Sequence, residues 1–222
     1  IVTALDTTVG DILTQDGTIV AVGADLEANS GDTTIDASGQ YVFPGGLDPH
    51  VHMELPFMGT ISADDFETGT AAGVAGGTTS IIDFVIPPRD QNLMEGLAEW
   101  HAKAKKSVAD YAFHMAVTWW GDESAEWMRR CVQEEDIPSF KTFMAYRGAI
   151  GVDDHELIQV MRTAKSLGAL TTVHAEHGDM VVHLQDKLFA EGKTGPEYHA
   201  RSRPAPVEAE ATSRAIMLAR MT

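Results

Sequence analysis

The stretch GGLDPHVH, residues 45–52, follows the apolar segment Tyr41-Val42-Phe43 and carries two histidines, His50 and His52, one residue apart. Side chains at i and i+2 of an extended chain point to the same side, so both imidazoles can reach one ion. Imidazole is a ligand that suits zinc and similar metals. The pair therefore predicts a metal-dependent hydrolase, although an HxH pair at the polar end of a strand is a weak signal when taken alone.

The composition argues against several classes of protein. The chain has 222 residues and a net charge of −17, from 33 acidic and 16 basic residues, which disfavours binding to nucleic acid or to an anionic membrane surface. A single cysteine, Cys131, permits no intrachain disulfide and is expected in the core. The chain has no apolar run of the ~20 residues that span a bilayer. It opens without Met or a basic signal segment, so we expect a cytoplasmic protein whose true N-terminus lies upstream.

Strands and turns come first along the chain, and strands alternate with helices afterwards. Residues 1–46 are typical of part of a small β-sandwich module, with a hairpin turn at Asp16-Gly17. From Tyr41 onward the sequence predicts five βα units, and residues 47–222 are assigned to the barrel. The expected strands are 41–47, 79–85, 111–117, 139–144 and 170–174, and the expected helices are 64–75, 91–108, 124–135, 153–167, 180–191 and 207–221. This order indicates an α/β fold with a parallel sheet, either a (β/α)8 barrel or a doubly wound sheet. The first strand is not followed by a GxGxxG turn, which disfavours a dinucleotide-binding fold.

Chemically competent side chains recur at the ends of the predicted strands. In a barrel, catalytic groups lie at the carboxyl ends of the strands. The residues found there are His50, His52, Asp83, His114, Lys141 and His174. A random chain would rarely place so many such groups at one edge, so we expect the site there.

Five motifs together make the sequence resemble a known family. They are HVHMELPFMGTISADDF, GGTTSIIDFVIP, SFKTFMAYRGA, VHAEHGD and SRPAPVEAEA, and the likeness runs from about residue 10 to the end. The sequence resembles dihydropyrimidinases and bacterial hydantoinases, which are cyclic-amide hydrolases of the amidohydrolase superfamily. The resemblance implies a TIM-like (β/α)8 barrel of amidohydrolase type, with about the first five βα units present. It also implies a homotetramer that acts on a small cyclic amide or ureide.

The same resemblance implies a binuclear centre of two divalent ions, with zinc as the expected metal. His50 and His52 match ligands from the first barrel strand, and His174 matches the ligand from the fifth. Lys141 matches a lysine that carbon dioxide carbamylates and that bridges both ions. The chemistry is coherent, because an ammonium cannot bind a cation whereas a carbamate offers two oxygen donors. Burial among apolar neighbours would keep the amine neutral and able to capture carbon dioxide.

Three further side chains match positions around the substrate in that family. Tyr146 matches a tyrosine that donates a hydrogen bond to the substrate carbonyl as it becomes an oxyanion. Phe57 and Phe143 match positions near the exocyclic substituent of the ring. The implied reaction is attack of a metal-bridging hydroxide on the ring amide of a dihydropyrimidine or a 5-substituted hydantoin, which gives an N-carbamoyl amino acid.

Several alternatives stay open at this point. The family needs a further histidine and a further aspartate as ligands, and residues 1–222 contain no match for them. We therefore expect the polypeptide by itself to be inactive and to be a portion of a longer protein. An allantoinase-like enzyme, a non-catalytic scaffold and a stand-alone binding fragment are the rivals. Glu54 stands where dihydroorotases place arginine, which disfavours that activity, and His177 stands where the family usually has asparagine.

Overall fold

The computed structural model describes residues 1–222, which form two compact units, Ile1–Gly46 and Leu47–Thr222. In the first unit, β1 (Asp11–Gln15) pairs antiparallel with β2 (Thr18–Gly23). Asp16 and Gly17 make the turn at φ 50° and 76°. Positive φ at both central positions is the conformation that matches the twist of a two-residue hairpin. The hairpin predicted at Asp16-Gly17 is thus confirmed.

The second unit alternates strands with helices. Its longer strands are β3 (Gly46–Val51), β6 (Thr78–Val85), β7 (Asp110–Ala116), β8 (Ser139–Phe143) and β9 (Leu170–His174), and a small hairpin consists of β4 (Pro56–Phe57) and β5 (Thr60–Ile61). The helices are α1 (Phe66–Ala75), α2 (Leu93–Ala104), α3 (Ser124–Glu134), α4 (Asp154–Ser166), α5 (Gly178–Ala190) and α6 (Ala205–Met221), with two short 3-10 turns at Pro196–Tyr198 and Ala200–Ser202.

The five longer strands form one parallel sheet in the order β3-β6-β7-β8-β9. Each new strand joins beside the one before it, with a helix in the connection. A doubly wound sheet would reverse its strand order at a switch point, and this sheet does not. The structure therefore has the first five βα units of the predicted barrel, and the carboxyl ends of all five strands meet at one edge.

The first strand of this sheet does not lie where the sequence predicted it. The prediction of a strand over 41–47 is wrong, because β3 begins at Gly46 and runs to Val51. The backbone oxygen of Val42 instead accepts a hydrogen bond from the amide of Val2 within the first unit. Pro44, which has no N–H to donate, interrupts the chain between the apolar segment and the strand. His50 consequently lies inside the strand, and His52 directly follows it.

The β4–β5 hairpin was not predicted from the sequence. Its two central residues, Met58 and Gly59, have φ values of 52° and 82°, so this is again a turn with positive φ at both positions. The Met58-Gly59 pair is the only feature of the sequence that indicates this hairpin. Strands of two residues are too short to show an alternation of apolar and polar side chains. The hairpin directly follows the histidine pair in the chain.

Side-chain caps fix where most of the barrel helices begin. Asp65 and Thr68 form a capping box at the start of α1, and Asp153 and Glu156 form one at the start of α4. In each box, the side chain of either residue accepts a hydrogen bond from the backbone amide of the other. The core lies between the sheet and helices α2, α3 and α4, and Cys131 is fully buried in it, as predicted. No helix combines the length and the apolar character needed to cross a bilayer.

Candidate metal centre

The ring of Phe84, on β6, packs against a cluster of three histidines. Its ring centroid lies 4.5 Å from that of His50, 5.1 Å from that of His52 and 4.7 Å from that of His114. His50 and His52 meet edge to face with their centroids 5.2 Å apart. Both imidazoles of the pair therefore lie against the same ring, that of Phe84. Sequence reasoning missed Phe84, because a phenylalanine in a buried strand looks like any other core residue.

Lys141 lies in the middle of β8, a strand whose five residues are all buried. Its Nζ is 5.5 Å from the centroid of the Phe84 ring and 5.4 Å from that of the Phe143 ring. Phe143 is in turn 6.1 Å from the ring of His174. The lysine amine thus lies near Phe84, against which His50 and His52 pack, and near Phe143, which neighbours His174.

Tyr146 follows β8 and lies on the β9 side of this cluster. Its ring centroid is 5.3 Å from those of both Phe57 and His174, and 5.9 Å from that of Phe143. Phe57 comes from the β4–β5 hairpin, so the hairpin contributes to the site. All three side chains that the resemblance assigned to the substrate are therefore neighbours.

His174 has a carboxylate partner. Its Nε2 lies 2.9 Å from Oε2 of Glu176, and Oε1 of Glu176 lies 3.4 Å from Nε of Arg203. Sequence reasoning singled out neither Glu176 nor Arg203. Their spacing could have pointed to Glu176. It stands two residues after His174 within VHAEHGD, just as His52 stands two residues after His50.

Burial and like charges lower the pKa values of the nitrogens in this cluster, which favours their unprotonated forms. Burial, followed by repulsion from His50 and Lys141, lowers the pKa of His52 to about 4. Burial and the neighbouring Lys141 also lower the pKa of His50. The pKa of Lys141 is lowered by burial alone. A lone pair is what a metal ion needs from imidazole and what carbon dioxide needs from an amine.

The donors present fit a divalent metal centre. Nδ1 of His52 is buried and has no hydrogen-bond partner within the chain, which is costly unless another group satisfies it. No three side chains of the histidine, cysteine, aspartate and glutamate types come close enough to hold an ion by themselves. An ion held by the histidine pair would therefore need further ligands of another kind or from elsewhere.

His114 is not available as a ligand in this arrangement. Its Nε2 lies 3.1 Å from the backbone oxygen of Pro49 and its Nδ1 contacts Oγ of Ser139. A carbonyl oxygen only accepts, so Nε2 carries the proton and the Ser139 hydroxyl donates to Nδ1. His114 thus fastens the residue that precedes His50.

Asp83 has a structural role at the strand end rather than a place in the metal cluster. It is fully buried and accepts hydrogen bonds from the backbone N–H of Met53, at 2.7 Å, and from Nε1 of Trp100, at 3.1 Å. Burial raises its pKa to about 7 despite these donors, which lower it. Asp83 therefore fixes the backbone at Met53, the residue that follows His52.

Glu54, which stands where dihydroorotases place arginine, and His177, which stands where the family usually has asparagine, both have structural partners. Oε1 of Glu54 lies 3.0 Å from Nζ of Lys106, so this carboxylate is paired with a lysine that follows α2. His177 caps α5, with its Nδ1 accepting from the amide of Met180 at 3.3 Å. A cap at a helix start needs only an acceptor, which asparagine and histidine both supply.

The family comparison covers most of the chain. The sequence model of the amidohydrolase family matches residues 41–218. A dihydropyrimidinase from Dictyostelium discoideum is 47% identical over 210 residues, which are 94% of this chain and 42% of that protein. A D-hydantoinase from Geobacillus stearothermophilus is 47% identical over 219 residues, or 98% of this chain and 46% of that protein. The chain thus spans about half the length of these curated relatives.

Solved structures agree with the sequence comparison. The crystal structure of a dihydropyrimidinase from Brevibacillus agri NCHU1002 superimposes with a TM-score of 0.96 at 46% identity. The match covers 99% of this chain and 48% of that one. The half-barrel arrangement of five parallel strands is therefore one that dihydropyrimidinase structures share.

Proposed function

Because the chain belongs to the amidohydrolase family, whose members are metal-dependent hydrolases, we propose that it forms part of an enzyme that opens cyclic amides. The substrates are dihydropyrimidines and 5-substituted hydantoins, and the products are N-carbamoyl amino acids. The observation that carries the proposal is the cluster of His50, His52 and Lys141 around Phe84, in which burial lowers the pKa of each nitrogen-bearing side chain. The relatives named dihydropyrimidinase and D-hydantoinase support this choice of substrates.

The proposed metal centre holds two divalent ions, and zinc suits its donors. His50, His52 and His174 would each offer an imidazole nitrogen, and Lys141 would offer two carbamate oxygens. When bound, such ions supply Lewis acidity and lower the pKa of a coordinated water to about 7. A further histidine and a further aspartate complete the set in the family that the chain resembles. Residues 1–222 alone are for that reason proposed to be inactive.

Lys141 has to be converted into a ligand before it can join the centre. Its neutral amine attacks carbon dioxide, a C–N bond forms and one proton leaves, so that an anionic carbamate replaces the amine. Burial favours the first step, because it favours the uncharged amine over the ammonium. The resulting anion lies among imidazoles, where bound cations would balance its charge.

The substrate side of the site is assigned to three aromatic residues. Tyr146 donates its O–H to the carbonyl oxygen of the scissile amide and stabilises the negative charge that develops there. Burial and the nearby Glu176 raise the pKa of Tyr146, so the phenol keeps the proton that it must donate. Phe57 and Phe143 flank Tyr146 and offer an apolar wall to the ring substituent.

Location and assembly are further parts of the proposal. We assign the protein to the cytoplasm, and we assign it a homotetrameric state on the family resemblance alone. Neither assignment affects the chemistry of a single site.

Metal content and turnover test the proposal together. The protein at its natural length, loaded with zinc, is expected to bind two ions per subunit and to hydrolyse dihydrouracil and hydantoin. Metal content is read by plasma mass spectrometry and products by chromatography. Turnover of allantoin in place of these rings would favour the allantoinase alternative. Absence of both zinc and turnover would contradict the proposal and favour a scaffold.

A further inference from the structure

His174 is the one candidate ligand whose ring is held by a carboxylate. Its Nε2 lies 2.9 Å from Oε2 of Glu176. A carboxylate oxygen accepts and does not donate, so Nε2 carries the ring proton. Nδ1 then carries the lone pair. In contrast, both nitrogens of His114 are occupied, and His52 leaves Nδ1 without any partner.

Glu176 is itself held from the other side. Its second oxygen, Oε1, lies 3.4 Å from Nε of Arg203, and both side chains are largely buried, with exposed fractions of 14% and 17%. Arg203 also donates from Nη1 to Oγ of Ser202 at 3.0 Å. Burying a carboxylate without a cation costs free energy, so the ion pair with Arg203 stabilises Glu176 in its buried position.

The backbone joins the same two segments. The amide of His177, in the loop after β9, donates to the carbonyl oxygen of Val207 in α6 at 3.1 Å. The loop that carries Glu176 is therefore joined to α6 by a main-chain bond at Val207 and to the residues just before α6 by the ion pair with Arg203. The motifs VHAEHGD and SRPAPVEAEA, distant in sequence, meet at this point.

We infer that Glu176 and Arg203 are positioning residues for His174: Glu176 fixes the proton on Nε2 and leaves Nδ1 for the metal, and Arg203 holds Glu176 in place. This inference rests on the proposed function, because it assigns His174 to the metal centre. A histidine ligand typically donates its second N–H to such a partner, and loss of the partner weakens metal binding. Neither residue touches the substrate in this role.

The test uses Glu176→Gln in the protein at its natural length. Glutamine keeps the size of the side chain but removes the charge that holds the imidazole proton and pairs with Arg203. We expect zinc affinity, measured by competition with a chelator, to fall about 10- to 100-fold. We also expect the visible absorption bands of the cobalt-substituted protein to shift, since they report the geometry around the ion.

Glu156→Gln is the matched control. Glu156 is also a largely buried glutamate paired with an arginine, with Oε1 lying 2.8 Å from Nη2 of Arg89 and an exposed fraction of 12%. It contacts none of the candidate ligands. We expect Glu156→Gln to leave both the zinc affinity and the cobalt spectrum unchanged, whatever it does to thermal unfolding.

Arg203→Gln provides a second variant that does not depend on Glu176→Gln folding well. It should weaken zinc binding in the same direction but by less, and the double variant should be no weaker than Glu176→Gln alone, because the two act as one unit. Wild-type zinc affinity and cobalt spectrum in both single variants would overturn the inference while leaving the proposed function intact. Failure of the wild-type protein to bind zinc would instead overturn the proposed function, and the inference with it.

Discussion

Tyr146 has a backbone conformation that tyrosine seldom adopts. Its φ is 58°, in the left-handed region, where a side chain other than glycine costs roughly 1 kcal/mol or more. The surrounding structure enforces this conformation, since the amides of Ala149 and Gly151 both donate to its carbonyl oxygen. Strain of this kind is typical of residues held for a functional reason, and here it directs the phenol ring towards His174.

Tyr146→Phe should lower kcat and leave KM and stability nearly unchanged. The substitution keeps the ring contacts and removes only the proposed donor to the developing oxyanion, and loss of one such donor typically costs about 10²- to 10³-fold in kcat. Steady-state kinetics with dihydrouracil is the measurement. Tyr111→Phe, on β7 and 38% exposed, is the control and should retain full activity. An unchanged kcat in Tyr146→Phe would remove this residue from the mechanism.

Lys141→Met should abolish binuclear metal binding without destabilising the metal-free fold. Methionine has a similar volume and no amine to desolvate, so the free energy of unfolding should be equal or higher. Zinc content and urea unfolding in the presence of a chelator measure the two effects. Lys187→Met, on the surface of α5, should change neither. Two zinc ions bound with wild-type affinity in Lys141→Met would show that the lysine is not a ligand.

Some residues of the candidate site could be predicted from the sequence, and others could not. The histidine pair could be singled out from its spacing and Lys141 and His174 from their places at predicted strand ends, whereas Tyr146 and the ligand role proposed for Lys141 came from the motifs shared with a known family. Phe84 could not be predicted, since its contact with both histidines depends on the pairing of β3 with β6, which no local pattern encodes.

At the scale of elements, Asp83 joins β6, α2 and the end of β3. It accepts from Trp100 on α2 and from Met53 just after the strand, so one carboxyl fastens three segments. Its pKa of about 7 in the folded chain compares with 3.8 as the ordinary value. At a pH between these two values, Asp83 keeps its proton in the folded state and releases it in the unfolded state. The stability that comes from this protonated carboxyl is therefore lost as the pH rises from about 4 to about 7.

Asp83→Asn should remove that pH dependence. The stability of the wild-type protein relative to Asp83→Asn should fall by a few kcal/mol between pH 5 and pH 8, because each tenfold change in a protonation equilibrium corresponds to about 1.4 kcal/mol. Urea unfolding of the metal-free proteins at the two pH values measures it. Asp186→Asn, on an exposed position of α5, should track the wild type. A constant difference between wild type and Asp83→Asn across this range would mean that Asp83 is ionised throughout.

Gly151→Ala should disturb the loop that holds Tyr146. A Cβ at this position would collide with the carbonyl oxygen of Ala145 and approach the carbonyl group of Tyr146 to 3.0 Å. These are backbone atoms that cannot move aside cheaply, so we expect lower stability and a lower kcat together. Gly73→Ala, on α1, meets its nearest neighbour only at 3.7 Å and should be tolerated. Normal activity in Gly151→Ala would show that the Tyr146 loop accommodates the change.

Elements were predictable where their signals are local. The Asp16-Gly17 turn, the capped starts of α1 and α4 and the alternation of strands with helices all follow from neighbouring residues. The strand at 41–47 was misplaced because an apolar run indicates burial or pairing without saying with which partner. Here the partner of Val42 is Val2, in the first unit.

At the scale of the whole molecule, the sheet has two strands with a single neighbour each, β3 and β9. Their outer backbone groups can pair with another strand. Phe189, Ile216 and Met217, on α5 and α6, are also large apolar residues with more than half of their surface exposed. These features agree with a chain that spans about half the length of the curated relatives it matches.

Residues 1–222 produced alone should therefore self-associate, because free strand edges and exposed apolar side chains favour contact between copies. Sedimentation velocity of this polypeptide, beside the protein at its natural length, measures the effect. A broad, concentration-dependent distribution is expected for the former and one defined species for the latter. A sharp monomer peak for residues 1–222 would contradict this interpretation of the sheet edges.

The most direct test of the central claim is ring opening of dihydrouracil by the zinc-loaded protein at its natural length. N-carbamoyl product should accumulate, and it should fail to accumulate with Lys141→Met under the same conditions. Wild-type protein that binds two zinc ions per subunit yet forms no product from dihydrouracil or hydantoin would contradict the account.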